Sequence, residues 1–205
     1  RMTNDVGIIQ FAKLNQPDIK AGYTLDDNAR AMVAACMHYR HKGKARDLEL
    51  IRKYLDFISI CQQSGGDFLN YMDKELRFTP QNDDVNLDDS NGRAIWALGY
   101  LTSLNKILPP DLTEKASKLI NNSLVHILGM YSPRAMAFSI KGLYYCCQKQ
   151  NAPGIKAMIK MLAHRIMLMY RFESGNGWNW FESYLTYANS ILPESMVYAW
   201  LVTED

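Results

Sequence analysis

Charge of one sign is the first thing this chain lacks. Its 23 basic and 21 acidic residues are mixed along 205 positions and leave a formal net charge of +2. Without a basic stripe there is no surface to neutralise a row of phosphates, and nucleic acid is not an expected partner. Long apolar runs are missing too: none approaches the ~20 residues that cross a bilayer, so no membrane partner is expected. The four cysteines, Cys36, Cys61, Cys146 and Cys147, sit inside apolar helical patterns with no CxxC spacing. The four histidines, His38, His41, His126 and His164, show no HExxH or comparable spacing. These absences argue against a disulfide framework, a metal site and a cofactor. No Gly-rich phosphate loop, GxGxxG or GxSxG is present, which removes support for nucleotide binding and serine hydrolysis. No signal-peptide pattern opens the sequence, which begins at Arg1; a cytoplasmic location is favoured, with room for a removed leader or an upstream domain.

What the sequence does have is helical periodicity, of two alternating kinds. Residues 44–63 place Leu48, Ile51, Leu55 and Ile58 on one stripe against a charged back, the mark of a helix with one wet face. Residues 111–128 (Leu112, Ala116, Leu119, Ile120) and 153–171 (Ile155, Met158, Ile159, Leu162) repeat that pattern. By contrast, 94–108 and 135–147 are apolar nearly all round and need burial on most sides. Three segments begin alike: RAMVAACMHY from Arg30, RAIWALGYLT from Arg93 and RAMAFSIKGL from Arg134. Each unit reads as inner helix, turn, outer helix, which buries its faces by stacking on its neighbours. The predicted fold is all-α, an α/α toroid or partial toroid spanning 1–205 as one domain. Residues 67–79 alternate about Asp73-Lys74 and predict a short β-hairpin over one end. Seven or eight helices fit the length where a full toroid needs about twelve, so the arc is partial or the chain is a fragment of a longer domain; the apolar run MVYAWLV near the C-terminus favours the latter.

The helix starts carry the polar chemistry. Asp26 and Arg30, and likewise Asp89 and Arg93, are i, i+4 pairs at a helix entrance, where capping alone would account for the acids. Capping does not require the neighbouring Asp27 and Asp88, or Asp83 and Asp84. With inner helices converging, these carboxylates face one cleft and acid/base work becomes possible. The loop GNGWNWFESYLTYANSILPES (175–195) leads into another inner helix through Pro193, with Asn189 or Ser190 near its cap. Trp178, Trp180, Tyr184 and Tyr187 then lie on the same rim, beside Glu182. Rings for C–H faces, with carboxylates, amides and arginines for hydroxyls, suit a sugar; Phe181 and one tryptophan read better as plugs of the toroid's end.

Three motifs carry a resemblance: GYTLDDNARA (22–31), LDDSNGRAIWALG (87–99) and WNWFESYLTYANSILPES (178–195). Together with RMTNDVGIIQFA (1–12), they resemble a bacterial helical-toroid domain found C-terminal to group 1 glycosyltransferases, or standing alone beside glycan-processing genes. That fold is similar to the α/α toroids of glycoside hydrolases, unsaturated glucuronyl hydrolases and sugar epimerases, so the resemblance implies a carbohydrate ligand by analogy of fold. It marks Asp26, Asp27, Arg30, Asp88, Asp89, Arg93, Trp178, Trp180, Glu182, Tyr187 and Asn189. This sequence departs from the pattern at Ala188 and Asn4, where an acid is expected, and at Asn91, where His or Gln is. The leading expectation is a glycoside hydrolase-like domain acting on an oligosaccharide or polysaccharide. Glu182 and one of Asp27 or Asp89 form its carboxylate pair, and Asp26, Arg30, Asp88, Arg93, Trp178, Trp180, Tyr187 and Asn189 hold substrate. The alternative is a non-catalytic glycan-binding domain that serves a glycosyltransferase partner; a helical scaffold for protein partners ranks last.

Overall fold

Helices begin where the sequence supplies starts for them. In the computed structural model, which describes residues 1–148 and 152–205, Thr24 caps α1 (Leu25–Lys42), its hydroxyl accepting from the Asp27 N–H at 3.2 Å. Gly43 ends that helix at φ 62°, a left-handed turn that lets its N–H reach the Tyr39 carbonyl. Proline stands in the first turn of α5 (Pro110–Ile127), α6 (Pro133–Cys147) and α7 (Pro153–Glu173), where a missing N–H costs nothing. With α2 (Ala45–Cys61), the four-residue α3 (Gln81–Asp84), α4 (Asp88–Ser103) and α8 (Ile191–Thr203), eight α-helices and a 3-10 turn at Ile19–Ala21 make up 62% of the described chain. None of them is long and apolar enough to cross a membrane.

The two kinds of periodicity sort these helices into two layers. α1, α4, α6 and α8 pack side by side in that order, and α2, α5 and α7 back them as α1/α2, α4/α5 and α6/α7 pairs. The one-sided helices bury their stripes, Ile51, Leu55 and Ile58 on α2 and Leu112, Ala116, Leu119 and Ile120 on α5, while α4 and the first eleven residues of α6 are buried almost throughout. One hydrophobic core runs from Ile9 to Ala199. The seam between α4 and α6 is a backbone contact: a Cβ on Gly99 would overlap the Gly142 carbonyl, and one on Gly142 the Ile95 carbonyl. The result is an α/α arc, a partial toroid. α8 lies at its edge, and Val197, Trp200 and Leu201 there are about half exposed.

The hairpin at 67–79 takes a reduced form. A tight turn closes over 73–77, with the Leu76 N–H on the Asp73 carbonyl at 3.1 Å and a single bridge from Met72 to Phe78. The true ladder of β4 (Tyr71–Met72) is with β3 (Tyr23–Thr24), the strand entering α1. Buried Asn82 takes the place of a partner strand, accepting from the Asn70 and Tyr71 N–H groups and donating to the Tyr71 and Thr79 carbonyls. A second small hairpin, β1 (Ala12–Lys13) with β2 (Gln16–Pro17), was not expected. It is only two residues per strand and lacks apolar alternation.

Two buried asparagines explain why inner helices start together. Asn28 and Asn91 each stand two residues before the repeated arginine. Asn28 accepts from the Ile8 N–H and donates to the Thr24 carbonyl. Asn91 accepts from the Phe68 N–H and donates to the Phe68 and Leu87 carbonyls. Each ties a non-helical segment to the mouth of its helix, satisfying backbone groups that burial would otherwise orphan.

Candidate functional site

A cleft of about 400 Å³ opens at the starts of α1, α4 and α6 and is lined by Asp26, Asn70, Tyr71, Asn86, Leu87, Asp89, Ser90, Arg93, Ser132 and Tyr187. The acids of the two LDD repeats do not cap their own helices, against the local reading. Leu87 precedes α4 without a side-chain cap. Asp88 instead accepts from the Tyr131 and Ser132 N–H groups at 2.7 and 3.2 Å, holding the entrance of α6. Asp89 accepts from the Ser132 hydroxyl. The expected Asp89–Arg93 pair is not made: Arg93 crosses from α4 to Asp26, Nη1 to Oδ1 at 2.5 Å. Asp26 meets Arg30 on its other oxygen at 3.1 Å, as the i, i+4 spacing predicts, and its N–H donates to the Asn70 side chain at 3.0 Å. Asp27 is turned away from the cleft lining, between the Thr24 hydroxyl and the Arg30 guanidinium, both at 2.6 Å.

The opposite wall is the segment between α7 and α8. Its attachment is Arg134, 5% exposed at the side chain, whose guanidinium forks onto both oxygens of Glu182 at 2.7 and 2.9 Å. The same group donates to the Tyr187 carbonyl at 2.6 Å and to Asn189 Oδ1 at 3.2 Å. Tyr187 is half exposed; its ring lies 4.9 Å from the Arg134 guanidinium and 5.6 Å from that of Arg93. Thus Glu182, expected as a catalytic acid, has both oxygens committed to an ion pair and does not line the cleft. Of the two residues expected near the cap of α8, Ser190 holds that position without a side-chain bond, and Asn189 accepts from the Thr186 N–H and Arg134. Trp178 donates its indole N–H to the Glu182 carbonyl at 2.7 Å, bracing the loop. Phe181 is buried against Tyr170, and Trp180 packs edge-on to Phe181 with its N–H buried and unpaired, so both act as plugs.

Of the eleven residues singled out from sequence, then, Asp26, Asp89, Arg93 and Tyr187 share the cleft, and Arg30, Asp27 and Asp88 flank it. Glu182, Asn189 and Trp178 hold its loop wall, and Trp180 is packed against Phe181. Asn70, Tyr71, Asn86, Ser90 and Ser132 line it unannounced. Asn70 and Tyr71 could have been found, since they lie in the segment predicted to reach over this end. Ser132 stands two residues before Arg134, at the place that Asn28 and Asn91 hold in the first two repeats, and Arg134 was visible only as that repeat's first letter. Elsewhere the core thiols are inert: burial pushes Cys36 and Cys61 up to about 12.

No protein-family model and no curated protein matches the chain. Among solved structures, the "Glycosyl hydrolase family 88 from Bacteroides vulgatus" is similar to it, with a TM-score of 0.60 and 11% sequence identity over 90% of this chain. The chain spans 63% of that structure's length. At that identity the likeness is one of fold: the arc of inner and outer helices is shared with an α/α toroid of a glycosyl hydrolase.

Proposed function

We propose that the cleft binds a saccharide chain and that the domain is glycoside hydrolase-like, with Asp26 and Asp89 as its working carboxylates. The observation behind this reading is convergence: Asp26, Asp89, Arg93 and Tyr187 come from three separate segments, two helix starts and one loop, and meet in a single hollow. Their surroundings differ in a useful way. Asp26 has a guanidinium on each oxygen and is suited to bear negative charge opposite a developing oxocarbenium centre. Asp89 has one oxygen on the Ser132 hydroxyl and can exchange a proton with a glycosidic oxygen. Tyr187 supplies a ring face for stacking, and Asn70, Asn86 and Ser90 supply partners for hydroxyls.

A second reading is a glycan-binding domain without turnover, serving a glycosyltransferase. It is favoured by the engagement of Glu182 with Arg134 and by Ala188 standing where the resembled pattern has an acid. A neutral oligosaccharide panel, scored for binding and for new reducing ends, separates the two. Under the first reading the wild type cleaves a bound oligosaccharide, and Asp89→Asn lowers the rate by a factor of at least ~100 while binding persists. Binding with no cleavage by the wild type supports the second reading, and no binding at all removes both.

A further inference from the structure

We propose that this cleft selects neutral saccharides and turns away sugars bearing a carboxylate or sulfate; the inference rests on the saccharide reading above. The cleft lining holds two carboxylates, Asp26 and Asp89, and one guanidinium, Arg93. Widening the view to the helix starts, Asp26, Asp27, Asp88 and Asp89 against Arg30 and Arg93 leave a formal charge of −2. Every one of the nearby cations is already spoken for by the chain. Arg93 is on Asp26, Arg30 is on Asp26 and Asp27, and Arg134, behind Tyr187, is sealed on Glu182, the Tyr187 carbonyl and Asn189. Among the described residues, no lysine or histidine lines the hollow.

An anionic sugar entering here meets net negative charge, and any guanidinium that it reaches is one a native carboxylate already holds. A neutral sugar meets no such obstacle. Its hydroxyls can donate to Asp89, to the Asn70 and Asn86 side-chain oxygens and to Ser90, whose own proton is on the Leu87 carbonyl, and its C–H face can lie on Tyr187. The aromatic wall reinforces the selection, because the Tyr187 ring lies 4.9 Å from the Arg134 guanidinium, which stays out of the cleft lining.

Matched pairs test this. Cellotetraose, maltotetraose and mannotetraose are each titrated calorimetrically against their C6-oxidised uronate counterparts. For whichever backbone binds, the neutral member is expected to bind at least ~10-fold more tightly, and the gap to narrow in 0.5 M salt, where the screening length shrinks to about 4 Å. Asp89→Asn should narrow it as well. A uronate that binds as tightly as its neutral partner, or more so, overturns the selection while leaving the saccharide reading standing. If no tetraose of either kind binds, the saccharide reading is what falls, and the sign of the cleft is read without sugar. A tryptophan reporter in Tyr187→Trp, taken as the difference from wild type and with each ion scaled to its quenching of free indole, should be quenched more by caesium than by iodide; the reverse order refutes the charge argument.

Discussion

The two walls of the cleft reach the same hollow by different means. The helix wall carries Asp26 and Asp89 on the first turns of α1 and α4 and Arg93 on the second turn of α4, and the buried asparagines Asn28 and Asn91 tie those starts to the strands and loops around them. The loop wall, 175–190, has no helix or ladder of its own; it hangs from Phe181, set in the core, and from one guanidinium. The first wall is as rigid as the packing beneath it. The second is held by the Arg134 fork and a few wholly or partly buried side chains, Phe181 and Trp180 among them.

The sharpest way to break the comparison is Arg134→Ala. The substitution strands Glu182, 12% exposed, without its partner, and removing one member of a buried pair destabilises by about 3–5 kcal/mol. For a chain of this size that lowers the melting temperature by roughly 6–20 °C. The loop should also become the first site of proteolysis, within 175–190, before the helices open. An Arg134→Ala variant that melts like wild type and keeps its loop intact would show that the loop wall has support beyond this pair.

Gly99→Ala attacks the other wall from underneath. A Cβ there overlaps the Gly142 carbonyl on α6, a backbone atom that cannot swing aside, so α4 and α6 must part. Overpacking of this kind costs about 1–3 kcal/mol. The distinguishing sign is not the size of the loss but its place: loop proteolysis should stay at the wild-type rate while the melting transition drops. Loss of loop protection in Gly99→Ala would mean that the two walls are coupled.

What the sequence revealed divides along the same line. Layering and repeats were legible because they depend on spacing within one helix, as with Leu112, Ala116, Leu119 and Ile120 on α5, or the arginines that begin the three repeats. The convergence of Asp26 and Asp89 followed from that layering. Partner choice was not legible. Arg93 lies four residues from Asp89 and 67 from Asp26, and it pairs with the distant one because the inner helices stand side by side. Glu182 among aromatics looks the same on paper whether it awaits a substrate or answers an arginine; only the fork of Arg134, 48 residues away, tells them apart. The hairpin was misjudged in extent for a related reason: Asn82, from outside the strand pattern, satisfies backbone groups that a longer ladder would have used.

The smallest effect probes strain. No polar residue of the helix wall has positive φ, whereas the loop wall has Asn176 at 51°, Gly177 at 86° and Ala188 at 51°. Ala188 sits between Tyr187, which lines the cleft, and Asn189, which Arg134 holds, so its left-handed turn sets the angle at which the ring meets the hollow. A left-handed alanine costs about 1–2 kcal/mol, and Ala188→Gly removes that strain while loosening the unfolded chain by about 0.4–1 kcal/mol. The balance is a gain of at most ~1.6 kcal/mol and a rise of up to about 6 °C in melting temperature. Ala188→Asn, which tolerates the left-handed region without the added backbone freedom, should match or exceed it. The two variants part on ligand. Glycine frees Tyr187 to leave its angle and should weaken saccharide binding even as the fold grows more stable, whereas asparagine keeps both. Equal binding by wild type and Ala188→Gly would mean that Arg134 alone fixes the ring, and that the turn at 188 follows from the loop's attachment without contributing to it.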